Sequence, residues 1–170
     1  IKGDNVILKN GTVINLTIAA GANNITLEDI DDREGGNHTF AGGGNNSIIF
    51  KGSTLLKGTI NITGLEPIQF RSEELKEGRG ISGKVIIKTT NPVTIAVPVS
   101  NEVEVQAASE FITIRAEVKK IVALVKTSIK IDENIAEDKR PQLEKAVGVE
   151  ASAVVIDAEG EETEETLGFQ

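Results

Sequence analysis

Apolar residues recur along this chain as pairs flanking one variable position. Eight pairs stand out: Val6/Leu8, Ile25/Leu27, Ile48/Phe50, Ile68/Phe70, Val93/Ile95, Ile112/Ile114, Ile129/Ile131 and Val154/Ile156. The residues between them are Ile7, Thr26, Ile49, Gln69, Thr94, Thr113, Lys130 and Val155. Alternation with period two puts each pair on one face of a strand and the middle residue on the other. The first members of successive pairs lie 19, 23, 20, 25, 19, 17 and 25 residues apart. Second apolar runs fall between them at 13–18, 38–40, 59–62, 84–88, 102–107 and 121–126. Each repeat therefore holds two or three short strands.

Sharp corners precede the pairs. GDNVIL (3–8), GANNITL (21–27), GGGNNSIIF (42–50) and the looser TTNPVTI (89–95) each set Gly, Asn or Pro before an apolar run. Glycine reaches left-handed backbone angles without steric cost, and asparagine tolerates them. Short strands joined by recurring corners predict an all-β fold, a right-handed parallel β-helix (β-solenoid) of about eight coils. Stacked corner asparagines are expected to bond from coil to coil, as amide ladders do. The alternative is an antiparallel β-sandwich or jelly roll. KNGT (9–12) sits between two apolar runs, and Asn-Gly is a strong hairpin signal.

The solenoid is expected over 1–157. Within it, IAEDKRPQLEKAVG (135–148) reads as a helical excursion or cap, with Leu143, Ala146 and Val147 at helical spacing and Gly148 as a stop. Residues 158–170 form an acidic tail, expected to be mobile, that ends on Leu167 and Phe169.

Composition narrows the function classes. The 170 residues are 39% hydrophobic and 3% aromatic, with no Trp or Tyr, so the core is expected to be aliphatic. Net charge is −8 and no basic run appears, so nucleic acid is not expected as a partner. No Cys is present, which removes disulfides and thiolate metal sites. No apolar stretch is long enough for a membrane span. The chain starts at Ile1 rather than Met, which fits either a removed leader or a trimmed sequence.

Motifs with chemical content are few. GRGISG (78–83) matches G-x-G-x-x-G, yet a strand rather than a helix follows it, so no dinucleotide site is expected. His38 is the one histidine, and its neighbours in GGNHTF offer no catalytic or metal partner; it reads as a corner residue. Glu28, Asp29, Asp31, Asp32 and Glu34 cluster in EDIDDREGG, and Asp29, Asp31, Asp32 and Glu34 are calcium candidates against the reading of a solvated acidic loop. Glu73, Glu74 and Glu77 lack a basic partner cluster, and sugar-stacking Trp and Tyr are missing, so a polysaccharide-active enzyme is the third-ranked reading. Asn-x-Ser/Thr acceptors stand at Asn10, Asn15, Asn24, Asn37, Asn45 and Asn61.

The stretch from NITLEDI through GGGNNSIIFKGSTLLKGTINI resembles the β-helical segments of Gram-positive S-layer-type cell-surface proteins. The matching residues are Gly42, Gly43, Gly44, Asn46, Ser47, Ile48, Phe50, Ser53 and Thr54, and the likeness of pattern covers roughly 5–131. The resemblance implies a secreted structural protein at the cell surface and supplies no catalytic residues. The expected function is a non-enzymatic subunit assembling head to tail with itself into an extracellular filament or surface layer. Val6 and Leu8 of the first coil would meet Val154, Ile156, Leu167 and Phe169 of the last coil of another copy. A spacer or binding module of a larger surface protein is the runner-up. Surface polysaccharide is the other expected partner, and calcium the only cofactor considered.

Overall fold

The structure is a computed structural model that describes residues 1–42, 47–108 and 111–170. Gly43, Gly44, Asn45 and Asn46, including part of the Gly-rich corner and one acceptor asparagine, lie outside the described residues.

Strands dominate. The first sheet is formed by β1 (Ile7–Val13), β3 (Ile25–Asp32), β5 (Ser47–Gly52), β8 (Ile68–Leu75), β11 (Val93–Ile95), β13 (Ile112–Ile114), β15 (Thr127–Asp132), β17 (Ala151–Ile156) and β18 (Glu162–Leu167), adjacent in that order. The second runs through β2 (Thr17–Ile18), β4 (Asn37–Phe40), β7 (Thr59–Ile62), β10 (Val85–Ile87), β12 (Val99–Val105), β14 (Val118–Ala123) and β16 (Gln142–Lys145). A short third ladder joins β6 (Leu55–Leu56), β9 (Gly80–Ile81), Val99 and Val118. Every pairing is parallel except the last, β17 with β18. The chain visits the sheets alternately, so it winds as a parallel β-solenoid of about seven turns, with β17 starting an eighth. The sandwich alternative is thereby excluded. KNGT makes no hairpin, because β1 runs through it in parallel register with β3, Gly11 opposite Ile30.

The coils stack at roughly 4.8 Å, so like residues fall on like residues. Ile25 lies opposite Ile48, Leu27 opposite Phe50, Val93 opposite Ile112 and Ile114 opposite Ile131. All eight of these are buried, and each contributes roughly 1.5–3 kcal/mol by leaving water. The core is not wholly aliphatic. Phe70 packs edge-on to Phe40 at 5.6 Å and tilted to Phe50 at 6.0 Å.

Corners follow the same stacking. Asn5 (φ 56°) and Asn24 (φ 58°) turn left-handed before their strands, and Asn24 Nδ2 donates to Asn5 Oδ1 at 2.7 Å, the expected amide ladder. A second left-handed column bends the first sheet at Asn10 (φ 53°), Asp29 (φ 52°) and Gly52 (φ 66°). Neighbouring registers place these three in line.

Four details differ from the sequence expectations. First, β8 is displaced two residues against β5, so Ile48 faces Phe70 rather than Ile68. The inward face is kept, because a slip of two preserves parity. Second, the last pair is shifted by one: Ala153 and Val155 continue the ladder of Ile129 and Ile131, and Val154 lies opposite the outward-facing Lys130. Third, 135–148 is not helical beyond a single 3-10 turn at Glu137–Lys139. β16 follows, with Leu143 opposite Ile121 and buried, while Val147 is fully exposed. Fourth, the acidic tail is ordered. It turns at Asp157–Gly160 and returns as β18, antiparallel to β17.

That return closes the C-terminal end. Leu167 lies opposite Ala153, Gln170 N–H donates to the Leu143 carbonyl at 2.9 Å, and Lys145 N–H donates to the Gln170 carbonyl at 3.0 Å. The tail thus crosses from the first sheet to the second, with Leu167 and Phe169 packed on the core. Arg140 fastens it through its two terminal guanidinium nitrogens to Glu165, at 2.6 and 3.3 Å. Leu167 and Phe169, expected to meet a second copy, therefore cover their own chain, and Ile156 is buried within it. The N-terminal end has no such cover among the described residues. Ile1, Val6, Leu8 and Val13 are only half-buried against the core, and Ile7 is 65% exposed.

Candidate functional site

Two places collect polar chemistry: a sealed cluster around Asp32 and an open groove on the third face.

The acidic segment does not converge on a metal. Along β3 the side chains diverge, and among the described residues no group of three or more His, Cys, Asp or Glu is placed to hold an ion. Glu28 pairs with Lys9 at 2.9 Å and Lys51 at 3.5 Å. Asp29 Oδ1 accepts from the Ser53 backbone N–H at 2.9 Å and from its hydroxyl at 3.2 Å. Asp31 faces solvent, accepting from the Asp32 N–H at 2.9 Å with Lys57 at 3.5 Å, and Glu34 is exposed. The four calcium candidates Asp29, Asp31, Asp32 and Glu34 are thus spread over both faces and a corner, and Asp29, Asp31 and Asp32 are in protein contacts of their own.

Asp32 points inward and is buried together with His38. His38 does not sit at a corner: it lies on β4, on the same inward face as Phe40. Its partner is six residues upstream, outside the GGNHTF window. Nδ1 accepts from the Leu16 N–H at 2.9 Å, so the ring proton is on Nε2, which donates to Asp32 Oδ2 at 2.7 Å. The same oxygen accepts from the N–H groups of Lys57 (2.8 Å) and Gly58 (2.9 Å). The oxygen therefore ties its own coil to the next, and the His38 ring carries the link back to Leu16 of the first coil. Oδ1 of Asp32 is buried without a protein partner. The histidine–aspartate pair has 0% exposure on both side chains, so no substrate reaches it. The legible signal was the alternation His38, Thr39, Phe40, which puts the ring on an apolar face.

The groove lies where coil lengths change. In two successive coils the first-sheet strand reaches the third face in three residues, 96–98 and 115–117. The flanking coils take longer paths, through the turn at 76–79 and through 133–141 with its 3-10 turn. The short coils form a floor around Pro98, Val99 and Val118, and the longer ones rise as walls. The space between them is about 860 Å³. Lys76 and Arg79 stand on one wall, Lys139 and Arg140 on the other, and Lys119 on the floor. GRGISG contributes Gly78, Arg79 and Ile81 here, as a turn and a strand with no helix after it. Of the acids Glu73, Glu74 and Glu77, only Glu77 lines the groove.

Of the acceptor asparagines, Asn10, Asn15, Asn24 and Asn37 are exposed. Asn61 is half-buried, and its Nδ2 donates to the His38 carbonyl at 3.1 Å. Asn15 accepts from the Asn37 N–H at 2.9 Å. The same asparagines that read as glycan acceptors thus also stitch neighbouring coils.

Hydrogen bonds and ion pairs, most of them between coils, depress several carboxyls. Asp29 is lowered by the Ser53 N–H, Asp31 by the Asp32 N–H and then Lys57, and Glu28 by Lys9. Glu104 is lowered by Gln106 and Lys84, and Glu165 by Arg140. A carboxyl whose folded pKa lies below its unfolded one stabilises the fold above the unfolded value. That contribution is lost as pH falls through the folded value. The melting temperature is therefore expected to hold down to about pH 5 and to fall once pH drops below the ordinary values of 4.5 for Glu and 3.8 for Asp. Added salt should shrink the drop, since these pairs face water. Thermal melts followed by circular dichroism test this, and an unchanged midpoint down to about pH 2.5 would refute it.

Comparison with family models, with curated proteins and with solved structures finds no match to this chain.

Proposed function

We propose that this chain is a rigid structural module of a cell-surface assembly, closed at its C-terminal end and completed at its N-terminal face by one further layer of β-structure. The asymmetry of the two ends carries this reading. Unpaired strand edges recruit other strands. The edges of β1 and β2 are last in their sheets, and beside them lie the half-buried Ile1, Val6, Leu8 and Val13. The other end carries its own strand, and that strand bears Glu162, Glu164 and Glu165, charges that resist edge pairing. Head-to-tail growth needs a receptive face at both ends. The module reading is for that reason better supported than the filament. The sealed histidine–aspartate pair lends no support to the enzyme reading. The surface setting rests on the S-layer-type resemblance and on the exposed Asn-x-Ser/Thr positions.

In isolation the open faces of two copies are expected to pair, so association stops at a dimer. Sedimentation velocity over a concentration series, with negative-stain microscopy of the same samples, checks this. Val6→Lys should give monomers with an unchanged circular dichroism spectrum. Filaments would restore head-to-tail assembly. A monomer at every concentration would deny the open face any affinity for β-structure.

A further inference from the structure

We propose that the groove on the third face binds a carboxylate-bearing polysaccharide, held by charge and hydroxyl contacts rather than by ring stacking. The protein carries eight more acids than bases, yet the groove gathers five cations from three separate parts of the chain. Outside the groove several bases, though not all, are spent on neighbouring acids: Lys9 and Lys51 on Glu28, Lys84 on Glu104, Lys120 on Glu144, Arg115 on Asp132. In the groove only Arg140 is so used. Lys76, Arg79, Lys119 and Lys139 have no carboxylate within 4.0 Å among the described residues, and all four are exposed. Asp29 and Asp31 feel Lys76 and Arg79 only at longer range. Four unpaired cations facing one concave surface of an acidic protein are a local attraction for anions.

The remaining lining selects among anions. Glu77, Glu117 and Asp138 line the groove as well, together with Ser72, Ser100 and Gln142. A polyphosphate backbone has no hydroxyls to donate to those carboxylates and would be repelled by them at close range. An acidic glycan offers carboxylates for the cations and many hydroxyls for the acids, serines and glutamine. No Trp or Tyr exists to stack on a base or a sugar ring. The walls stand three coils apart, roughly 14 Å at the inter-strand spacing, which admits one extended chain.

Alginate serves as the acidic probe, with dextran as its neutral counterpart, poly-glutamate as an acidic peptide and single-stranded DNA as a polyphosphate. Isothermal titration at low salt should show binding of alginate and none of dextran. Affinity should fall as salt rises. Lys119→Ala with Lys139→Ala should weaken it roughly five- to tenfold, as expected for two exposed charge contacts. Lys126→Ala, outside the groove, should leave it unchanged. Circular dichroism checks that each variant stays folded. No alginate binding, equal binding by the double variant, or tighter binding of poly-glutamate or DNA would each overturn the proposal.

Discussion

Gly83→Ala is expected to cost about 3 kcal/mol or more and to leave little folded protein at 37 °C, the upper range for overpacking against atoms that cannot move aside. The reason lies in a column of glycines at the corner before the second sheet. A β-carbon on Gly83 would overlap the Gly58 carbonyl and stand 2.7 Å from the Lys57 carbonyl oxygen. One on Gly58 would stand 2.6 Å from the Gly36 oxygen and 3.0 Å from His38 Nε2. One on Gly36 would overlap the Ile14 carbonyl. Apart from the His38 ring, each obstacle is the backbone of the preceding coil, fixed by bonds such as Gly83 N–H to the Leu56 carbonyl and Thr59 N–H to the Gly36 carbonyl. Relief would require the coils to part, and they are the ladder itself. Gly11, on the surface with open space around it, is the control, and Gly11→Ala should change the midpoint little. Urea unfolding of the three proteins measures the difference. A Gly83→Ala variant within about 1 kcal/mol of the parent would show that the corner can open.

The alternation of apolar residues made the parallel solenoid legible because burial on one face fixes parity, and parity survives local error. The two-residue displacement of β8 against β5 shows this: Ile48 meets Phe70 instead of Ile68, yet every inward residue stays inward. Where the apolar run is continuous, parity is undetermined. Ala153, Val154, Val155 and Ile156 allow either alternation, and the ladder from Ile129 and Ile131 selects Ala153 and Val155. Local spacing was equally unable to place 142–145. Pro141 holds Arg140 extended (ψ 149°), and pairing of Leu143 with Ile121 then overrides the helical spacing that follows.

The candidate sites were legible as residue types and obscure as partnerships. His38 and Asp32 meet because one coil brings the end of β3 against β4, and no window centred on either residue contains both with the Lys57 and Gly58 amides. The groove cations lie at 76, 79, 119, 139 and 140, dispersed along the chain, so a search for a basic run passes over them. The difference in coil length creates the groove, and the spacings between apolar pairs carried that difference without showing which face it deformed. The tail was the reverse case. Its acids argued for mobility, and the apolar tip at Leu167 and Phe169 was the better guide, since uncovered core at the last coil supplies the surface that orders it.

Asp32→Leu is expected to destabilise the fold by about 3–5 kcal/mol, more than His38→Leu, although the histidine is the larger group. Counting buried partners decides the order. Removing the carboxylate strands three donors, the Lys57 and Gly58 amides and His38 Nε2–H. Each unsatisfied buried donor costs roughly 1–3 kcal/mol. Removing the imidazole strands the Leu16 amide and takes one of three donors from Asp32, which keeps the two amides. Asp32→Asn separates charge from connectivity. Its amide oxygen can replace Oδ2, while its NH₂ must occupy the site of Oδ1, which has no protein partner. It should therefore fall between the parent and Asp32→Leu. In the double variant, loss of His38 after Asp32 should cost less than loss of His38 alone, because the Nε2–H bond is already gone. Urea unfolding of the four variants gives the cycle. Hydrogen exchange at Leu16, Lys57 and Gly58 gives the location, with all three amides slow in the parent and only Leu16 still slow in Asp32→Leu. Additive losses, or a smaller effect at Asp32 than at His38, would mean that the cluster does not act as the pin holding the second, third and first coils in register.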